Sequence, residues 1–562
     1  MRLGYFSHIA SAAMLLSVFY TAQAFEFNQG ELSGSFDTTI SLGATWRVEG
    51  RDKDLIGVAN LGRLRSVNTD DGNINYDKGV VSSVIKVTHD LEVDYRNFGA
   101  FVRATYFNDF KNNGNNDLTS KAEGIVDNDF SFLDGYVRGS FKLGGRALDV
   151  RLGKQVVSWG ESTFIQNSIN VLNPVDVRRL RIPGSELREA LTPVNMLWFS
   201  QELTDNLSFE AAILSNFDHV EIDPRGTYFS TNDFASAGGQ YVVTGFGAND
   251  ESRCALAFPG NAVCIPRAAD RDARDTGQYG VAFRYLAQQL NDTEFGFFFV
   301  NYHSRVPIIS AHAVSGATPN TADYFVEYPE DIQLYGLSFN TVMNNGIALQ
   351  GEISHRDDVP LQIEDVEILL SALCSAASQL GACPGGLGSE VPGYIRRDVT
   401  QVQLTATKLI GGSNIFKANQ WVLLGEVGWT YVHNMPDEDV LRLEGPNTPL
   451  PANPAVAGTA QDDGYADQSS WGYRLVTRLD YNSAIGAVNL SPRLAFAHDV
   501  NGTTPGPGGN FIEGRKALTL GLGASYLNAW TGDLSYTRLY GGGDHNLLHD
   551  RDFVSMNIKY SF

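Results

Sequence analysis

Val554-Ser555-Met556-Asn557-Ile558-Lys559-Tyr560-Ser561-Phe562 decides the fold. Apolar residues (Val554, Met556, Ile558, Tyr560, Phe562) alternate one for one with polar ones (Ser555, Asn557, Lys559, Ser561). Successive side chains of a β-strand point to opposite faces, so the segment reads as a strand with one apolar and one polar surface. The same period recurs upstream. Trp471, Tyr473, Leu475 and Leu479 interleave with Arg474, Arg478 and Asp480. Trp421, Leu423, Val427, Trp429 and Tyr431 oppose Glu426 and Thr430, and Val402, Leu404 and Ala406 oppose Gln401, Gln403, Thr405 and Thr407. Near the start, Phe36, Ile40, Leu42, Ala44, Trp46 and Val48 share a face opposite Asp37, Ser41, Thr45, Arg47 and Glu49. Strands with one lipid face and one lumen face build a membrane barrel, and a last strand ending in an aromatic residue fits the assembly signal of such barrels.

Connections alternate in length. Short turns fall at 95–99, 142–146, 203–206, 290–293, 342–346, 482–486 and 527–530. Long polar segments fall near 49–81, 111–127, 158–193, 218–275, 307–329, 359–395 and 434–468. The expectation is all-β: a single transmembrane antiparallel β-barrel of about eighteen strands, with about fourteen to sixteen as the lower alternative, short periplasmic turns and long extracellular loops. Closure removes sheet edges, which lipid does not tolerate.

Composition agrees. Of 562 residues, 43% are hydrophobic, 19% charged and 11% aromatic, which argues against disorder and suits strands with interfacial girdles. Beyond the N-terminus no apolar run reaches the roughly 18 residues of a membrane helix. Arg2, the apolar stretch 9–20 and Ala22-Gln23-Ala24 read as a signal peptide over 1–24, with the barrel occupying 25–562. The few residues between Phe25 and the first strand leave no room for a plug domain or a periplasmic repeat. Export places the cysteines in an oxidising compartment, and their local spacing predicts loop disulfides Cys254–Cys264 and Cys374–Cys383. A net charge of -22 argues against nucleic acid as a partner and fits acidic outer loops.

Several segments resemble one family. They are Asn68-Thr69-Asp70-Asp71-Gly72-Asn73 with Tyr76-Asp77-Lys78-Gly79, Asp94-Tyr95-Arg96-Asn97-Phe98-Gly99, and Arg151-Leu152-Gly153-Lys154-Gln155-Val156-Val157-Ser158-Trp159-Gly160-Glu161-Ser162. Asn170-Val171-Leu172-Asn173-Pro174-Val175-Asp176, the 328–336 stretch and Gln350-Gly351-Glu352-Ile353-Ser354-His355-Arg356 complete the set. The chain resembles the outer-membrane proteins grouped as domain of unknown function 1302 along nearly its whole exported length. The resemblance implies an outer-membrane barrel, loosely associated with export or uptake of hydrophobic compounds, and transfers no catalytic residues.

No nucleophile elbow, phosphate loop or zinc-protease motif is present, and no cofactor or metal is expected. His545 and His549 have zinc-like spacing but follow Gly541-Gly542-Gly543, so they read as loop histidines. Asp70, Asp71, Asn73, Asn75 and Asp77 miss the EF-hand register and read as an Asx-rich turn. If apolar partners face lipid, Asp90, Glu92, Asp94, Arg103, Arg138 and Arg151 point into the lumen, as do Arg474, Arg478 and Arg493. These charges either orient polar solutes across the lumen or pair with one another.

Residues 158–193 lose the strand period. Trp159, Phe164, Ile165, Ile169, Val171 and Leu172 are too apolar for a free loop, and Glu161, Asn170, Asn173, Asp176, Arg178, Arg179 and Arg181 too polar for lipid. The segment is expected to enter the barrel and constrict it, with Trp159 as anchor; Trp159, Glu161, Asn170, Asn173, Asp176, Arg178 and Arg179 are the constriction and solute-binding candidates. Pro174 and Pro183 restrict any helix there to short pieces. An outer cap is the alternative.

Phe295, Phe297 and Phe299 oppose Phe298, Val300 and Tyr302, so aromatics must face the lumen either way. Either they meet an apolar solute or they pack against a loop. The leading functional expectation is a channel or transporter for small hydrophobic or amphipathic molecules; a hydrophilic porin and a surface-binding protein or outer-membrane enzyme are the alternatives. Expected partners are outer-membrane lipid and lipopolysaccharide, the barrel-assembly machinery through Phe562, the solute, and a periplasmic or inner-membrane transport component.

Overall fold

The computed structural model describes residues 25–257, 260–453, 461 and 463–562. The segment 1–24, expected from the sequence to be a signal peptide, lies outside them. The fold is a closed eighteen-strand antiparallel barrel. Each barrel strand pairs with its sequence neighbours in the ring, and Leu32–Arg47 closes against Phe553–Ser561 with Ser41 opposite Lys559 and Ala44 opposite Met556. Phe562 finishes the seam: its N–H donates to the Thr38 carbonyl (2.9 Å) and its carbonyl accepts from the Thr38 N–H (2.7 Å). A short strand, Phe25–Gln29, doubles back on Leu32–Phe36 outside the ring.

The period-two expectation translates directly into surfaces. Directly paired residues of antiparallel strands share a face. Phe36, Leu42, Phe297, Leu404, Met556 and Ile558 are exposed outward. Tyr95, Phe98, Phe141, Tyr285 and Tyr526 sit near the short turns, and Tyr106, Phe130, Tyr335, Trp429 and Trp471 near the long loops, as two aromatic girdles. Ser41, Lys86, Thr105, Glu352, Gln403 and Glu426 are buried on the inner face.

The expected turns connect strands, the loop of His545 and His549 is the 541–552 connection, and the 412–419 turn and the 502–515 connection are additional to those expected. The long segments also differ from simple polar loops. Tyr241–Val243 pairs with Cys264–Pro266, and Ile308–His312 pairs with Asp323–Glu327 and with Glu390–Val391. Phe234, Ile265, Tyr324, Val326, Ile363 and Ile368 are buried together in one apolar core among these segments. The outer mouth therefore carries a folded cap with its own hydrophobic interior. Within it Cys254 is bonded to Cys264 and Cys374 to Cys383.

Candidate functional site

Between Arg146–Gln155 and Val194–Thr204 the chain leaves the wall. A segment outside the ladder must still satisfy its backbone N–H groups. Two wall glutamates do this. Glu426 accepts from the backbone N–H of Thr163 (2.8 Å), Phe164 (2.7 Å) and Ile165 (2.9 Å). Glu352 accepts from Glu161 (2.5 Å), Ser162 (3.2 Å) and Ile169 (3.4 Å). Both carboxylates are buried on the inner face. Hydrogen bonds to a charged acceptor are the strong ones, and here they fix a backbone rather than a side chain.

The wall is also shaped to receive the segment. Gly280, Gly336 and Gly428 lie at inward positions, and a Cβ on each would fall 2.5 Å from Trp159, 2.8 Å from Ile169 and 2.8 Å from Ile165 respectively. Glycine within a strand marks close approach of another element. Trp159, 2% exposed, packs on Phe298 with ring centroids 5.9 Å apart, and its Nε1–H donates to Glu210 (2.9 Å). Phe298, Val300 and Tyr302 are the inward set of their strand, and they are buried in one cluster with Trp159, Ile169 and Leu172.

The second half of the segment reaches wall strands on the far side of the ring. The short helices Val177–Arg181 and Leu187–Ala190 follow Pro174 and Pro183, as proline placement requires. Lys86 pairs with Glu189, and Lys559 with Glu186 at 3.0 Å. Pro183 sits where a Cβ on Gly43 would fall 2.6 Å away.

Two cavities flank this segment. The outer one, about 490 Å³, is lined by Ile309, Val366, Leu369, Leu373 and Phe511 from the cap and by Val177. The inner one, about 580 Å³, is lined by Ile182, Pro183, Arg493, Asp533, Asn557 and Lys559. Phe229 lines both. The Arg181 guanidinium lies 4.4 Å from the Phe229 ring centroid and pairs with Asp223 at 3.2 Å. Apolar vestibule thus gives way to polar lumen at Phe229 and Arg181.

The constriction candidates divide on burial. Glu161 accepts from Asn340 Nδ2 (3.1 Å), and the Asn170 amide donates to Ser158 Oγ (3.1 Å); both are partly open. Arg178 binds Asp176 at 2.9 Å and keeps some exposure. Asn173, Asp176 and Arg179 do not fit a solute-facing role. Asn173 clasps the base of the segment, accepting from Val157 N–H (2.9 Å) and donating to Thr192 O (2.9 Å). Asp176 holds both Arg178 and Arg179, and Arg179 continues to Asp129 at 3.0 Å. All three are buried, so their polar groups are already satisfied by protein. Trp159, buried and bonded to Glu210, likewise anchors the segment.

The lumen charges pair locally rather than forming opposed free clusters. Arg103 binds Asp90 (2.7 Å) and Asp134 (3.4 Å), and Arg138 binds Glu92 and Asp94 (2.6 Å each). Arg151 stacks on Trp198 at 4.1 Å. Arg474 binds Asp499 (2.7 Å), Arg478 binds Asp480 (2.9 Å), and Arg493 pairs with Asp533. His545 and His549 separate, the former contacting Pro446 O and the latter Asp52. Glu352, Glu426, the three inward glycines, Phe229 and Arg181 are the site residues that the sequence did not single out as such. Glycine or glutamate at inward parity was the available signal.

These features define a transmembrane β-barrel with a polar inner face, an apolar outer belt and one long connection seated against its inner wall. A family model described as a protein of unknown function (DUF1302) matches residues 5–562, and the chain belongs to that family. No curated protein matches it. Among solved structures it is similar to Acinetobacter baumannii OccAB3 (11% identity, TM-score 0.43, covering 94% of this chain and 99% of that one). It is also similar to a BenF-like porin from Pseudomonas fluorescens Pf-5 (9%, TM-score 0.39, 94% and 98%) and to Pseudomonas aeruginosa OccK2 (OpdF) in complex with glucuronate (9%, TM-score 0.38, 94% and 97%).

Proposed function

We propose that the protein is an outer-membrane channel that passes small, hydrophobic or amphipathic molecules through a barrel constricted by residues 158–193. The observation that carries this reading is the pair of cavities that share Phe229 in their walls, the outer one walled largely by apolar side chains. An apolar vestibule concentrates an apolar solute, while the polar lumen below lets it leave, because passage needs binding that is weak enough to reverse. The inward aromatics at 298–302 lend no support, since Trp159 covers them. In this reading Glu161 and Arg178 border the path, lipid and lipopolysaccharide surround the belt, and the strand ending in Phe562 is the part read by the assembly machinery.

The test is conductance and solute block in planar bilayers with purified full-length protein, paired with uptake by a deletion strain. Deleting 158–193 raises conductance and weakens discrimination, and Phe229→Ala weakens block by apolar solutes more than by sugars. No conductance and no uptake phenotype for any apolar solute would sink the proposal. The second reading is a hydrophilic-solute porin, favoured by Arg493, Asp533 and Lys559 around the inner cavity. Liposome swelling with sugars and amino acids separates the two.

A further inference from the structure

Asp70, Asp71 and Asp233 bring one carboxylate oxygen each to within 4.8 Å of one another in the outer cap. The first two come from the 48–78 connection and the third from the 215–278 connection. Asp70 and Asp233 are 0% and 1% exposed. On each, one oxygen is already engaged. Asp70 Oδ2 accepts from Gly57 N–H (2.8 Å) and Asn60 Nδ2 (3.0 Å), and Asp233 Oδ2 accepts from Asp71 N–H (3.1 Å). The other oxygen of each, Oδ1, is buried with no hydrogen-bond partner. Two orphaned carboxylate oxygens in one buried spot call for a proton or a cation, because an unpaired buried charge is among the costliest groups in a protein.

The protein supplies too little positive charge. Arg225 is shared between Asp71 (2.6 Å) and Glu251 (3.2 Å). The buried Arg551 guanidinium turns toward the carbonyls of Tyr228 (2.7 Å) and Ser230 (2.6 Å). Asn73, Asn75 and Asp77, the other members of the acidic stretch, are engaged elsewhere: Asn73 with Arg47 and Asp550, Asn75 with Gly226 O and Asp77 with Arg51. No local calcium loop exists; the third carboxylate arrives from a distant segment.

We propose that Asp70, Asp71 and Asp233 bind one hard divalent cation of the calcium class, which ties the 48–78 and 215–278 connections together. All-oxygen donors with several carboxylates suit calcium, whose remaining coordination positions water and backbone carbonyls can complete. The site stands directly behind the vestibule, since Asn68, Thr69, Thr231, Asn232 and Phe234 line the outer cavity. Cation binding therefore stiffens one wall of the entrance.

The experiment uses full-length protein in detergent micelles, stripped with EDTA and titrated with calcium chloride by calorimetry, with terbium luminescence as a second probe. Wild type binds calcium saturably with a dissociation constant on the order of 10⁻⁴–10⁻³ M, as extracellular modules do. Asp70→Asn/Asp233→Asn weakens this at least about tenfold, the loss expected when metal ligands are neutralised. In a second measurement, calcium slows proteolytic cutting of the 215–278 connection in wild type and not in Asp233→Asn. Superimposable isotherms for wild type and the double variant would mean that calcium sits only on the acidic surface, and would overturn the proposal. If the double variant fails to form a barrel, the wild-type proteolysis decides: cutting unchanged by calcium overturns it equally.

Discussion

Replacing Glu426 with alanine removes the acceptor for three backbone N–H groups of the inserted segment, at Thr163, Phe164 and Ile165. Leaving the buried Ile165 N–H unsatisfied costs about 1–3 kcal/mol, and the part-buried Thr163 and Phe164 donors lose about 0.5–1.5 kcal/mol each, so the truncation weakens the seating by roughly 2–6 kcal/mol before relaxation. That favours detachment of the 160–170 stretch, since water can re-satisfy the Ile165 donor only if the stretch leaves the wall. The ring itself is not the casualty, because Glu426 contributes no side-chain bond across its own ladder except that from Thr405 Oγ1 (3.2 Å). Glu426→Gln is the milder probe: it keeps shape and one acceptor oxygen but turns an amide donor toward donors. The assay is single-channel conductance in planar bilayers, with limited proteolysis of the 160–170 stretch as a direct measure of release. The expected order of conductance is wild type, then Glu426→Gln, then Glu426→Ala, then Glu352→Ala/Glu426→Ala. If the double variant still runs as a folded barrel yet matches wild type in conductance and in protection from protease, the two glutamates do not hold the segment.

Gly336→Val should also unseat it, because a Cβ there falls 2.8 Å from Ile169; overpacking of this kind costs about 1–3 kcal/mol, and a rise in protease cutting near 169 without loss of the barrel checks it. In the cap, burial raises the native pKa of Asp70 to about 7 and of Glu251 to about 9. The folded cap therefore binds more protons than the unfolded chain above about pH 4, so its stability is fullest at acid pH and falls as pH rises through 7 to 9. Protection factors of the amides of residues 225–235 in EDTA at pH 6 and pH 9, with the base-catalysed intrinsic exchange divided out, check this; greater protection at pH 9 contradicts the sign.

The barrel was legible because lipid and lumen impose opposite chemistry on alternate residues, and that demand is written locally in every strand. Val554–Phe562 and Leu32–Val48 each show it without reference to any partner. The cap was not legible for the converse reason. Phe234, Tyr324 and Ile368 are separated widely along the chain and share no period, so nothing local announces that they meet. The same holds for the seating of residues 158–193. Its mixed polarity marked it as neither free loop nor lipid strand, but the receiving residues, Gly280, Gly336, Glu352, Gly428 and Glu426, lie more than a hundred residues downstream of the residues they receive. Asn173, Asp176 and Arg179 show why the candidate residues were less legible: polarity alone does not say whether a group is spent on protein or left for a ligand.

The strand Thr293–Tyr302 shows where residue type stops being informative about solute. Phe297 and Phe298 are chemically identical neighbours with opposite environments: Phe297 is 51% exposed toward the belt and Phe298 is 5% exposed beneath Trp159. An inward phenylalanine in a wide barrel is consistent with an apolar passage only if nothing covers it. Here Gly280 and Gly336, on the strands either side of Phe298 and on the same inner face, leave the wall thin, and Trp159 and Ile169 respectively occupy the space that the missing side chains release. The inner aromatics are therefore the footing of the inserted segment, and a case for an apolar solute has to rest on surfaces that remain open. Among the described residues these are the cap side chains around the outer cavity that keep some exposure, Leu369 and Leu373 among them. Solute preference should accordingly respond to substitutions at 369 and 373, where a polar residue meets the vestibule, and not to Phe298→Leu, which changes only what the segment rests on.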